Sequence, residues 1–419
     1  MPPDATRSAA EAAARASYGR LVAHLAVRSR DIAAAEDALA DAFVEALSSW
    51  PANGVPDQPE AWLLTVARRR LIDARRRSSR IGSVIDDVLI SLASDSPVES
   101  TPVVIPDDRL RLLFACAHPA IDPAARAPLM LQTVLGLTGE AIASAFVVSP
   151  ASMSQRLVRA KQRLRDLAIS FDLPDEPREL QPRLDSVLDA IYACFTTGWA
   201  QSTPIEPDAA ETGFAEESLR LARLVIDLMP AEPEPRGLWS LMAHSHARRA
   251  ARIDDAGAFM PLLEQDPSRW DAKLIREAER ELSEAAKMNR PGRFQLEAAI
   301  QSAHAQRLHG RSVPWDAVLG LYDALIALQP TLGASVARAA SLHHAGRSIE
   351  ALESLDDIAR SLGERIATYQ PYHATRAAVL AAISKPAEAV AAYDRAIGLC
   401  VDPAARRFLQ SRRAAIRAL

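Results

Sequence analysis

Apolar residues recur along almost the whole chain three or four positions apart, and no convincing run of β-branched alternation interrupts that rhythm. A period of this kind gives every helix one apolar stripe and leaves no sheet face to build on, so the expected fold class is all-α. Pro and Gly then mark where the helices stop. A first helical block is expected over about residues 9–77, interrupted by "WPANGVPDQPE" at Trp50 to Glu60, and a second over about 108–170. Between them lies "IGSVIDDVLISLASDSPVESTPVVIPDD", with Asp86, Asp87, Asp95, Glu99, Asp107 and Asp108 and no Lys or Arg between Arg80 and Arg109. It reads as a flexible acidic linker over 81–107. A second seam, "DLPDEPRELQPR" at Asp172 to Arg183, separates both blocks from a C-terminal region over 183–419.

A length of 419 residues exceeds one ordinary core and suggests two or three domains. Cys116, Cys194 and Cys400 lie far apart without CxxC or Cys/His spacing, so they read as buried small hydrophobes. No disulfide framework or metal site is expected. The N-terminus is broken by charges before a signal-like run forms, and no uncharged apolar stretch long enough to span a bilayer occurs later. The expected location is therefore cytoplasmic, with no membrane partner.

In the C-terminal region "SIEALESLDDIA" from Ser348 aligns with "PAEAVAAYDRAI" from Pro386, pairing Glu350 with Glu388 and Asp356 with Asp394. "LYDALIALQP" at Leu321 to Pro330 looks like the second helix of an earlier unit. The period is near that of tetratricopeptide arrays, so helical hairpins stacked into a repeat are expected.

The formal net charge of -4 reveals no nucleic-acid binder, because Lys and Arg balance Asp and Glu up to Asp172. Local clustering does. "AWLLTVARRRLIDARRRSSR", from Ala61 to Arg80, holds seven arginines and only Asp73 as an acid. On a helical wheel Leu63, Leu64, Val66, Ala67, Leu71 and Ala74 fall on one side, and Arg68, Arg69, Arg75 and Arg76 on the other. A solvated face would interleave Glu at i,i+4, so this one suits a polyanion. Trp62 reads as a core anchor.

"GLTGEAIASAFVVSPASMSQRLVRAKQRLRDL" has the layout of a helix-turn-helix: a short helix over about Gly139 to Phe146, a turn, then Ser149 as N-cap and Pro150 as first helical residue. Met153, Leu157, Ala160 and Leu164 form its buried stripe, while Ser152, Gln155, Arg156, Arg159 and Arg163 share the opposite face. Such a helix fits the DNA major groove, its first side chains reaching base edges and its later arginines holding phosphates. In "AEDALADAFVEAL", Asp37, Asp41 and Glu45 follow i, i+4, i+8 opposite Leu39, Phe43 and Ala46. Like charges at that spacing cost helix stability, so the stripe invites a basic protein partner.

These three segments, in this order, resemble the extracytoplasmic-function class of bacterial RNA polymerase sigma factors. "AEDALADAF" is similar to region 2.2, "PEAWLLTVARRRLIDARRR" to regions 2.3 and 2.4, and the helix-turn-helix text to region 4.2. The resemblance implies region 2 over 9–80, the linker over 81–107 and region 4 over 108–170. It implies core RNA polymerase as a partner of Asp37, Asp41 and Glu45. Promoter DNA would meet Arg68, Arg69, Arg75 and Arg76 at the minus-10 element and Ser152, Gln155, Arg156, Arg159 and Arg163 at the minus-35 element. No catalysis and no cofactor follow from it. The linker would bridge roughly 60 Å between promoter elements, and about 27 extended residues reach roughly 90 Å.

"VLDAIYACFTTGWAQS", "EPRGLWSLMAHSHARRAARID" and "LEQDPSRWDAKLI" resemble the long C-terminal extension of one sigma-factor subgroup, which implies a regulator with an intramolecular or protein partner. Its clusters, His244, His246, Arg248 and Arg249, then Asp266, Arg269, Trp270 and Asp271, lack a nucleophile-base pair and are read as a buried polar network. The rival class is a stand-alone helix-turn-helix regulator with a repeat-type sensor. Both sigma-like modules have their own apolar stripes, so a chain cut after Ser170 is expected to stay folded.

Overall fold

A computed structural model describes residues 17–78, 108–146, 148–174, 176–200, 209–255 and 257–417. The acidic linker over 81–107 lies outside them, as do residues 9–16. Helices make up the regular structure of the described residues, and the isolated bridge between Ile253 and Phe259 is the extended pairing found among them. The fold class is all-α. The chain divides into two compact units, one of residues up to 198 with 212–224, the other of 199–211 with 225–419.

The first unit begins with α1 (17–29), α2 (Ile32–Asn53) and α3 (Pro59–Ser78). Asp31 starts α2 by accepting the Ala34 N–H at 3.1 Å. The loop expected from Trp50 begins only after Asn53, because Pro51 is carried inside the last turn. Trp50 is buried and meets Trp62 edge-on at 5.5 Å, which anchors that turn despite the missing N–H. Next come α4 (Arg109–Cys116), α5 (Pro123–Thr133), α6 (Gly139–Ala145) and α7 (Pro150–Asp166).

Two features tie these blocks into one body. Gly19 of α1 faces the backbone at the end of α5, where any Cβ would overlap the Val134 carbonyl oxygen. Leu21, Val22, Leu25 and Ala26 beside it are buried. The unit also extends beyond the 172–183 seam. Helix α8 (Gln181–Ala200) buries Leu184, Val187, Leu188, Ile191 and Cys194, and Arg183 donates to the Phe114 carbonyl of α4 at 3.2 Å. Arg109 of α4 pairs with Glu217 on α9 (Ala209–Leu228).

In the second unit α10 (Glu234–Ala247) packs on α11 (Ala272–Lys287) and α12 (Arg293–Ala305). The text "EPRG" is explained by this packing. Glu234 accepts the Phe294 and Gln295 N–H groups at the start of α12, Arg236 pairs with Glu281 at 2.5 Å, and Gly237 admits the Gln295 backbone. Six further helices follow as successive hairpins: α13 (Trp315–Leu328), α14 (Leu332–His344), α15 (Ser348–Leu362), α16 (Gln370–Ala382), α17 (Pro386–Leu399) and α18 (Pro403–Arg417).

The internal repeat read from the sequence recurs in backbone detail. The turn before α15 has Gly346 at φ +80° and closes with Arg347 N–H to Leu342 C=O at 2.9 Å. The turn before α17 has Ser384 at φ +59° and Lys385 N–H to Leu380 C=O at 3.0 Å. The ion pair Arg347 to Glu350 recurs as Lys385 to Glu388, and buried Ala351 and Leu355 recur as Ala389 and Tyr393.

Candidate nucleic-acid interface

The clearest surface is built on α7. Ser149 accepts the Ser152 N–H at 3.2 Å, Pro150 opens the helix, and Met153, Leu157, Ala160 and Leu164 are buried. That stripe turns the opposite row outward. Ser152, Gln155, Arg159 and Arg163 are exposed and Arg156 is half-buried, and all five border one groove of about 530 Å3 with Ile121 and Asp122. Arg156 also donates to the Ala124 carbonyl at 3.3 Å, which holds its guanidinium toward α5. Short α6 precedes α7 across the turn and packs against it.

The four arginines assigned to one face of α3 divide in two. Arg69 and Arg76 are exposed. Arg68 and Arg75 are half-buried against α1, where Arg68 reaches His24 Nε2 at 2.9 Å and Arg75 donates to the Ser29 carbonyl at 3.0 Å. Ala74, placed on the apolar side of the wheel, is exposed. The neighbouring Arg70 pairs with Glu45 at 2.8 Å. Leu25, Leu71, Ile72, Arg30, Arg75 and Arg165 help to line a cavity of about 520 Å3 between α1, α3 and the end of α7.

His24 is the buried hub of this corner. Its Nδ1 lies 3.0 Å from Asp108 Oδ2 and 2.7 Å from Arg28 Nη1, and its Nε2 lies 2.9 Å from Arg68 Nη2. Burial lowers its pKa and so favours the neutral ring. Burial opposes the charge on Asp108, yet the bond from His24 and the nearby Arg111 and Arg28 hold that carboxyl below its ordinary range. Two ion pairs join α7 to the start of α2: Lys161 to Glu36, both largely buried, and Arg165 to Asp31 at 2.9 Å.

On α2 the acidic stripe is also divided. Asp37 and Asp41 are exposed, whereas Glu45 is half-buried and held by Arg70. Exposed Val44 and Leu47 share the face of Asp37 and Asp41. Apolar residues on an acidic helix face are a signal of a protein contact that the sequence itself carries.

Among the described residues no group of three or more His, Cys, Asp or Glu could hold a metal ion, and no helix is long and apolar enough to cross a membrane. All three cysteines are buried.

Residues 15–81 match the model of sigma-70 region 2, and residues 183–286 match a family of unknown function (DUF6596). An uncharacterized protein of Rhizobium meliloti (strain 1021) is 35% identical over 385 residues, covering 91% of this chain and 89% of its own length. No solved structure matches. The chain therefore carries a sigma-70 region 2 domain over α1 to α3, and it belongs to one family with that uncharacterized relative along nearly its full length.

Proposed function

We propose that the chain is an alternative sigma subunit of the extracytoplasmic-function type, which docks on core RNA polymerase and directs it to promoters. The observation that carries the reading beyond region 2 is the outward row of α7, where Ser152, Gln155, Arg156, Arg159 and Arg163 border one groove. Side chains at the first turns of a capped helix suit base edges, and the arginines further along suit phosphates. Asp37, Asp41, Val44 and Leu47 are the docking face, combining charge with exposed apolar area. Arg69 and Arg76 meet the minus-10 DNA directly. Arg68 and Arg75 act there only if their contacts with α1 are released. The protein performs no chemistry of its own, works in the cytoplasm and needs no cofactor.

The region after 183 serves as regulator, with its hairpins forming a tetratricopeptide-like array that offers a surface to a protein or to the chain's own modules. The rival, a stand-alone helix-turn-helix regulator, draws on one observation: Gly19, Lys161 and Arg165 fasten the α7 block to the region 2 block. Promoter elements roughly 60 Å apart require a sigma factor to part those blocks, whereas a regulator reading one site keeps them together. A fluorescence titration against core polymerase separates the two. The sigma reading expects tight binding that Asp37→Lys with Asp41→Lys weakens at unchanged helical content. Absence of core binding, with specific binding to DNA alone, would establish the rival.

A further inference from the structure

The second unit buries positive charge without an acid to match it. Arg248 closes α10 and is only 7% exposed, with Nη2 donating to Gln301 Oε1 at 2.6 Å and Nη1 without a hydrogen-bond partner. Gln301 is neutral, so the guanidinium has no counter-ion there. One turn further along α12, His304 is 9% exposed and its Nδ1 is also unpartnered. His244, fully buried on α10, makes no hydrogen bond through either ring nitrogen, although Glu279 lies 3.4 Å from its Nε2. Arg307 completes the group, stacked over the Trp270 ring at 5.4 Å and donating to the Leu262 and Gln265 carbonyls.

Charge works against charge here. Burial first, then Arg252 and Arg307, bring the Arg248 pKa down to about 10. Burial, Arg248, His344 and Arg307 bring His304 down to about 4, and burial and Arg248 bring His244 down to about 3. No carboxylate is among the groups that shift Arg248 or His304. A buried cation left unpaired is strongly destabilising, and a planar guanidinium with free N–H groups is the protein's best match for an oxyanion.

We propose that the end of α10 and the facing turn of α12 form an oxyanion-binding site, in which Arg248 and His304 take the carboxylate or phosphate group of a small molecule. The buried polar network expected from the sequence is thereby redefined. Asp266 and Asp271 do not neutralise it, because they cap the starts of their own helical segments through Ser268, Lys273 and Leu274. Arg269 sits outside, 3.5 Å from fully exposed Asp255. Glu279 faces His244, which leaves Arg248 and His304 as donors without an acid of their own.

The test is hydrogen-deuterium exchange of the full-length chain in inorganic phosphate or succinate, with chloride at the same ionic strength as control. Saturable slowing over 234–252 and 293–307 is expected, about tenfold at ten times the Kd for amides that exchange by opening of the site. Stronger slowing by phosphate identifies a phosphorylated ligand, and stronger slowing by succinate a carboxylic acid. Arg248→Met should abolish the response, and Arg248→Lys, which keeps the charge without the fork, should weaken it. In anion-free buffer Arg248→Met should melt no lower than the parent, since an unpaired buried charge has been removed. No slowing with either anion would overturn the site. So would slowing confined to the exposed arginines of 68–76 and 152–165, an unchanged response in Arg248→Met, or a clear loss of anion-free stability in that variant.

Discussion

Arg156 and Arg163 lie two turns apart on α7 and differ in freedom. Arg163 is exposed, while Arg156 is half-buried and tied to the Ala124 carbonyl. Arg163→Ala should weaken DNA binding on every sequence and reduce the slope of log K against log salt by about one ion, as loss of a phosphate contact does. Arg156→Ala should instead relax preference at one or two minus-35 positions, at about 1–3 kcal/mol each. Binding titrations on a promoter panel at several salt concentrations check both, and equal effects on every promoter would show the roles to be wrong. Gly19 is the second informative residue. Gly19→Ala places a methyl against the Val134 carbonyl oxygen, between backbones that have no side chain to rearrange. It should lower stability by about 1–3 kcal/mol or more, read by urea denaturation, and raise the exchange rate of α1 amides. An unchanged midpoint would mean that α1 and α5 are not held this closely in solution.

At the scale of elements, the two repeat turns make an internal control. Gly346 and Ser384 hold the same left-handed position, and serine carries a Cβ penalty there that glycine avoids. Ser384→Gly should therefore raise stability by about 0.5–1 kcal/mol, measured by thermal or urea unfolding, whereas Gly346→Ser should lower it. The same helices show how far a sequence reaches. Met153, Leu157, Ala160 and Leu164 were legible because a period of 3.6 and a Ser-Pro start leave one inward face for α7. The inward turn of Arg68 and Arg75 was not, because it depends on His24 and the Ser29 carbonyl of α1, brought alongside only by tertiary packing. Glu45 left the acidic stripe for the same reason, since Arg70 approaches from a different helix.

Across the whole molecule, the Pro-rich seam at 172–183 looked like the end of the sigma modules because proline and charge interrupt helix in any context. Interruption of helix is not interruption of packing. Helix α8 lies beyond the seam and still belongs to the first unit, where it buries Leu184, Leu188 and Ile191 and binds α4 through Arg183. The expectation that a chain cut after Ser170 stays folded is accordingly revised. That chain should expose the apolar face left by α8 and melt early or aggregate, whereas a chain ending after Leu228 should unfold cooperatively. Circular dichroism melts of the two decide it, and equal stability would return the boundary to the seam. If the C-terminal region activates the sigma modules, the 228-residue form should also initiate less transcription than the full chain.

Run-off transcription with purified core polymerase and a genomic promoter library tests the sigma reading most directly. Full-length protein should cause core to initiate at discrete sites sharing minus-35 and minus-10 elements, and Asp37→Lys with Asp41→Lys should reduce that signal sharply while helical content is unchanged. Transcription no greater than with core alone, from folded protein that still binds DNA specifically, would contradict it.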